Sequence, residues 1–213
     1  MINEKLDTEL IEVLRENGFT DSTELEQVCI PKIKSGRDMI CIAPKESGKT
    51  TTIVVSVLQR LKSSLNDVPR ALIVVSDKDR AVEMKDEFTR LGEYTDLRVN
   101  LACDDGKIDV QKDLIYMGSD VVIGTAKRIN KIYSLYALNL SGVKIFAIDD
   151  ADNVIKIMNY LQIDRLAESM PKAQRVVFAS QMTEWMERFL NEFMNVQEII
   201  EIEEDDVETE SSE

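Results

Sequence analysis

The sequence predicts an α/β domain with a doubly wound, mainly parallel sheet and helices on both faces. Three observations carry this. Short Val- and Ile-rich runs alternate with longer amphipathic segments. The runs lack the strict apolar–polar alternation of a half-exposed sheet, so each is expected to be covered on both sides. The first strand-to-helix junction reads "APKESGKT", Ala43 to Thr50, which has the shape of a phosphate-binding turn.

Taken in order, "DTELIEVLRENGF" spaces its apolar residues at three and four and predicts the opening helix. "DMICIA" predicts a strand over 39–44 that runs into the loop, and "TTIVVSVLQRL" follows as helix. "ALIVVS" (71–76) is a strand, "DKDRAVEMKDEFTRLG" a helix, and "LRVNLA" (97–102), "DVVIG" (120–124), "KIFAID" (144–149) and "RVVFAS" (175–180) are strands. "TEWMERFLNEFM" is a helix and "EIIEI" (198–202) a last strand. Met158, Met182, Met194, Trp185 and Phe189 are expected in the core. No repeat and no Pro/Gly-rich linker interrupts the pattern, so residues 1–202 are expected to form one domain. Residues 203–213, "EEDDVETESSE", form a like-charged run that predicts a disordered acidic tail.

Composition narrows the chemistry. The 213 residues suit one domain of ordinary size, and the absence of histidine excludes a histidine base, a Ser/His/Asp triad and histidine metal ligands. Proton transfer would have to use carboxylates, lysine or tyrosine. Cys29, Cys41 and Cys103 are odd in number and sit in or beside apolar stretches, which predicts buried, reduced thiols and a cytoplasmic setting. No apolar run is long enough to span a bilayer and "MINEKLDTEL" has no signal core, so no membrane partner is expected. The net charge of −14, half of it in the acidic tail, opposes general attraction to nucleic acid.

In a doubly wound sheet ligands bind outside the carboxyl ends of the strands. The informative residues fall there: the loop after Ala43, Ser76 to Arg80, Thr125 to Arg128, Asp149 to Asp152, and Ala179 to Gln181. In the phosphate loop, the backbone of Lys45, Glu46, Ser47 and Gly48 would form an anion nest at a helix N-terminus. Lys49 would reach the terminal phosphates and Thr50 would hold magnesium. Ala43 departs from the motif's first glycine, and Glu46 adds a negative charge. A unit charge roughly 6 Å from a phosphate costs under about 1 kcal/mol in water, so Glu46 should weaken binding rather than abolish it. "IDDAD" supplies Asp149, which would hold magnesium through water, and Asp150 as the group that activates the attacking water, unless the run is merely an acidic helix start.

The ordered set of motifs resembles the N-terminal RecA-like domain of DEAD-box RNA helicases, over about residues 6 to 202. "IPKIKSGRDMICIAPKESGKT" is similar to the family's "IP…GRD" signature and motif I, "DDGK" to the GG motif, "GTAKRI" to TPGR, "IDDADN" to DEAD, and "FASQM" to SAT. "ESGK" also resembles the phosphate loop of heterotrimeric G-protein alpha subunits. The resemblance implies a P-loop NTPase of RecA-like fold that takes ATP and Mg2+, with Phe19, Glu26 and Gln27 on the nucleotide. Lys78, Gly106, Thr125, Lys127 and Arg128 would face RNA.

Departures from the family pattern qualify this. Glu26 stands where the family reads adenine with glutamine, and an ionised carboxylate can only accept hydrogen bonds. Asp150 replaces the family's catalytic glutamate and is one methylene shorter, and a displacement of about 1 Å can cost on the order of 100-fold in rate. The PTREL position reads "SDKDR", with Asp77 for threonine, and SAT reads Ala179-Ser180-Gln181. A DEAD-box helicase also needs a second RecA-like domain to bring an arginine finger, worth about 10³ to 10⁵ in rate. The expectation is a nucleotide-binding domain, at most a weak ATPase (hydrolase), with weak RNA binding, that is not a helicase alone and needs a protein supplying the second domain. The alternatives are a non-enzymatic interaction or regulatory module and, less supported by the motifs, a phosphate-loop kinase or GTPase.

Overall fold

The computed structural model describes residues 6–65, 67–156, 158–195 and 199–203. Its elements are helices α1 (Thr8–Glu16) and α2 (Glu24–Lys34), strand β1 (Met39–Ile42), α3 (Lys49–Leu61), β2 (Ala71–Val74), α4 (Lys78–Leu91), β3 (Val99–Ala102), α5 (Ile108–Tyr116), β4 (Val121–Gly124), α6 (Ala126–Ser134), β5 (Ile145–Ile148), α7 (Ala151–Val154), α8 (Tyr160–Ser169), β6 (Gln174–Ala179), α9 (Glu184–Phe193) and β7 (Ile199–Glu201). All seven expected strands form. They make one sheet in the order β3-β4-β2-β5-β6-β1-β7, and every pairing is parallel.

The residues of β2, β4, β5 and β6 are all buried, which is what double cover requires. Alternate side chains feed two cores. Ile145 and Ala147 of β5 join α1 to α4 on one face, while Phe146 and Ile148 join α6 to α9 on the other. The chain steps one way along the sheet through α3 and α4 and returns through α5 to α9, so right-handed crossovers put the two helix sets on opposite faces. It leaves β2 and β5 in opposite directions, which makes their carboxyl ends a topological switch point, the place where ligands bind in such sheets.

Local chemistry fixes the helix starts. Thr23 and Glu26 close a reciprocal capping box on α2. Asp77 accepts the Arg80 N–H at 3.0 Å and caps α4, and Thr125 and Thr183 cap α6 and α9. Gly124 is required at the end of β4, because a Cβ there would stand 1.9 Å from the Ala102 carbonyl oxygen.

The three cysteines are buried and free. Phe189 is buried, and Met182, Trp185 and Met194 pack partly buried against the second core. Met158 contradicts the expectation: it is 86% exposed, in a turn between α7 and α8 that carries no helical periodicity to turn it inward. Of the expected acidic tail only Glu203 is described, and 204–213 lie outside the described residues. Among the described residues no helix is long and apolar enough to cross a membrane.

The amino edge of the sheet is tied by a buried carboxylate. Asp120, with no exposed surface, accepts Arg70 Nη2 at 2.7 Å, Arg98 Nε at 2.9 Å and the Arg98 N–H at 3.1 Å. Burial alone would raise its pKa. The hydrogen bonds from Arg98 and Arg70 outweigh that and hold it below the usual carboxylate range. A carboxyl with a depressed folded pKa contributes stability that is present above its unfolded pKa of about 4 and is lost as pH falls through the folded value. Asp120→Asn should therefore cost about 3–5 kcal/mol, because it leaves buried Arg70 without its anion. In thermal unfolding followed by circular dichroism it should lower Tm by roughly 10 °C or more at pH 7 and reduce the acid sensitivity below about pH 4.

Candidate functional site

The loop from Ala43 to Gly48 lies between β1 and α3. Its backbone turns left-handed at Glu46 (φ 63°) and Gly48 (φ 91°), and alternating backbone hand in such a turn makes successive N–H groups converge. Ala43 is buried and needs no positive φ, so replacing the motif's first glycine strains nothing. The Lys49 ammonium is buried under the loop, donating to the carbonyls of Ala43 (2.8 Å) and Pro44. Burial lowers the Lys49 pKa, and Asp149, Asp150 and Asp152 pull it partly back. Ser47 Oγ donates to the Pro44 carbonyl at 2.8 Å and braces the turn. The Glu46 side chain is exposed at the rim.

The carboxylate expected opposite this loop is there. Thr50 Oγ1 donates to Asp149 Oδ2 at 3.0 Å, joining the start of α3 to the end of β5. Asp149 is only 1% exposed, and its Oδ1 has no hydrogen-bond partner among the described residues. Burial pushes its pKa up, against the pull of Arg80 and Thr50. A buried acceptor oxygen beside a threonine hydroxyl is a donor set that fits hydrated magnesium. Asp150 follows with left-handed backbone (φ 57°) and accepts from Asn153 Nδ2 at 3.0 Å.

Two residues here lie in the stretches marked out by sequence but carry no role predicted from it. Arg80, in the first turn of α4, places Nη2 at 3.0 Å from Thr50 Oγ1 and 3.2 Å from Asp149 Oδ2, while Nη1 donates to Glu83 at 2.8 Å. The last letter of "SDKDR", a charge at a position the family fills with leucine, was the available signal. Asp152 Oδ1 accepts the Ser180 N–H at 3.1 Å and couples the segments after β5 and β6 through the backbone, without the missing hydroxyls of the SAT position.

A cleft of about 530 Å³ opens beside the loop, lined by Phe19, Glu26, Ile202 and the stretch from Pro44 to Gly48. Arg90 stacks over the Phe19 ring at 5.3 Å. Glu26 is buried against Thr23, and burial raises its pKa despite the Thr23 N–H it accepts. Gln27 is not in the lining; its amide donates to the Ser22 carbonyl at 2.9 Å.

The residues predicted for RNA cluster in space, but most are engaged internally. Arg128 donates to the carbonyls of Gly106 (2.9 Å) and Asp104 and to Gln111 Oε1 (3.1 Å), with its side chain only 11% exposed. Lys78 pairs with Asp105 at 3.5 Å, and the Thr125 hydroxyl donates to Asp104 at 3.1 Å. Lys127 is exposed and has no side-chain partner among the described residues. It lines a groove of about 660 Å³ with Lys131 and Arg165.

Residues 23–189 match the family model described as DEAD/DEAH box helicase. The chain belongs to that family. It is 28% identical over 208 residues to the ATP-dependent RNA helicase RhlB of Shigella boydii serotype 18, covering 93% of this chain and 49% of that protein. It is 26% identical over 176 residues to the ATP-dependent RNA helicase DBP10 of Chaetomium globosum, covering 82% of this chain and 23% of that one. The chain thus spans about half the length of the RhlB relatives it matches. The fold is similar to that of a DEAD box protein from Methanococcus jannaschii (TM-score 0.86, 21% identity, 92% of this chain and 54% of that one). It is also similar to the yeast DEAD-box splicing factor Prp28 (TM-score 0.83, 20% identity, 89% and 48%). In DEAD-box terms, the structure brings the motif I, DEAD and SAT positions into one crevice and the GG and TPGR positions into a second cluster.

The internal engagement of Arg128 has a measurable consequence. Arg128→Ala removes charged hydrogen bonds to two carbonyls and should cost about 2 kcal/mol. Lys127→Ala should stay within about 0.5 kcal/mol of wild type. Urea denaturation of the two variants checks the contrast.

Proposed function

We propose that this DEAD-box domain binds a nucleoside triphosphate, ATP, through the loop from Lys45 to Thr50, and that it hydrolyses ATP slowly unless a second RecA-like unit faces it. The observation that carries this is the phosphate loop, with Lys49 beneath it and the Thr50–Asp149 pair at its side, opening on the cleft lined by Phe19 and Glu26. The backbone N–H groups at the start of α3 and the Lys49 ammonium would meet the phosphates. Thr50 and Asp149 would hold magnesium, which supplies charge neutralisation on phosphoryl oxygens when bound, only where the Arg80 guanidinium leaves them free. Asp150 would position a water.

In the cleft, Phe19 supplies an aromatic face for the base. Glu26 occupies the place of an amide and, ionised, only accepts; this relaxes the preference for adenine over guanine. An opposing arginine that stabilises the transition state would come from the second unit, in the same or another chain. RNA binding is expected to be weak. It rests on Lys127 with Lys131 and Arg165 along the 660 Å³ groove, because Arg128 and Lys78 are paired internally. The same pairing, and the substitutions at Glu26, Asp77, Asp150 and Ala179, favour the second reading of a helicase-like interaction module. The buried free thiols suit a cytosolic location.

Thermal unfolding with millimolar Mg-ATP, Mg-ADP and Mg-GTP tests the proposal. Ligand at about 100 times its Kd adds about 2.7 kcal/mol, which for a domain of this size raises Tm by roughly 5–10 °C. That shift should vanish in Lys49→Ala. Glu26→Gln keeps the capping box and removes a buried charge, so it should leave Tm unchanged or raised and tilt the shift toward ATP over GTP. No shift with any nucleotide in the wild type overturns the reading in favour of an interaction module.

A further inference from the structure

The corner formed by Thr50 and Asp149 already holds a cation of the protein's own. Arg80 Nη2 lies 3.0 Å from the threonine hydroxyl and 3.2 Å from Asp149 Oδ2, the two oxygens that pair with each other across the corner. Its other terminal nitrogen is fixed by Glu83 at 2.8 Å, one turn along α4. The guanidinium cannot lose its charge, and it compensates an almost fully buried carboxylate. Its reach follows from topology: α4 starts at the carboxyl end of β2, β2 pairs with β5, and the Asp77 cap on the Arg80 N–H fixes that first turn.

A divalent cation held by Thr50 and Asp149 needs the threonine oxygen to which Arg80 already donates, and a place beside the same carboxylate. A dication and a guanidinium a few ångströms apart repel each other, and more strongly where water is excluded than in bulk water, so the two do not share the corner. A guanidinium offers what phosphate oxygens also take from a metal: a fixed positive charge and paired donors.

We propose that Arg80 is the resident cation of this site, excluding magnesium from the Thr50–Asp149 corner and presenting its own guanidinium to the phosphates, so that nucleotide binding does not depend on a divalent ion. This rests on the nucleotide-binding reading. It makes Arg80 a specificity-determining residue, one that removes the preference for the magnesium complex over metal-free nucleotide.

The test compares wild type, Arg80→Leu and Arg80→Lys in two arms. In the first, a fluorescent ATP analogue is titrated with Mg2+ or with EDTA. The wild type should change affinity by less than about threefold between the two, whereas Arg80→Leu should bind about tenfold or more tightly with Mg2+ than with EDTA, and Arg80→Lys should fall between. In the second arm Mg2+ alone is added against a salt control of equal ionic strength. Tm should rise by several degrees in Arg80→Leu and by about a degree or less in the wild type, and adding Asp149→Asn to Arg80→Leu should abolish the gain. Equal magnesium dependence in wild type and Arg80→Leu in either arm overturns the proposal. If no analogue binds to any variant, the nucleotide reading fails and the metal-only arm decides whether Arg80 guards the corner. Should Arg80→Leu not fold, Arg80→Lys carries both arms.

Discussion

The functional edge of the molecule is organised by the burial of one negative charge. Asp149 ends the central strand β5 with almost no exposed surface, and an ionised carboxylate taken out of water must be paired, hydrogen-bonded or neutralised. Thr50 and Arg80 answer one of its oxygens directly, and Lys49 contributes through the field. The partners arrive on two segments: Thr50 and Lys49 from α3, Arg80 from α4. The carboxylate is thus the point at which the phosphate loop, the first turn of α4 and the DEAD-position segment are held together.

The opposite edge repeats the device for a different purpose. Asp120 is as deeply buried as Asp149, but its oxygens are fully met by Arg70 and Arg98, and its pKa is driven down where that of Asp149 is driven up. A satisfied buried ion pair at the amino ends of the strands fixes the positions of β2, β3 and β4. At the carboxyl ends Asp149 keeps an oxygen without a partner among the described residues, and its pairing is incomplete. The difference separates a fully satisfied strut from a carboxylate with one oxygen left open.

Much of this was legible in the sequence because a doubly wound sheet writes itself in local signals. Runs such as "ALIVVS" and "KIFAID" are apolar throughout, since both faces are covered, and the phosphate loop and DEAD-position carboxylates lie at strand ends by motif alone. What escaped depends on contacts across segments. Arg80 was visible as a charge, but its direction is set by the Asp77 cap and the β2–β5 pairing. Arg128 matched a nucleic-acid position, yet the 104–111 loop folds back to occupy its guanidinium. Glu26 and Gln27 were separable only once the capping box fixed which residue faces the cleft. Met158 was placed inside by residue type, and a turn has no periodicity to correct that.

The central claim is that phosphate meets the backbone of the loop after β1, beside Asp149. Hydrogen–deuterium exchange of the whole chain, with and without saturating ATP, reads that backbone directly. Nucleotide should slow exchange of the amides from Lys45 to Thr51 and in the segment around Phe19 to Glu26, with little change near Lys127 and Arg165. Unchanged exchange in the loop, or protection confined to the groove between α6 and α8, would contradict it.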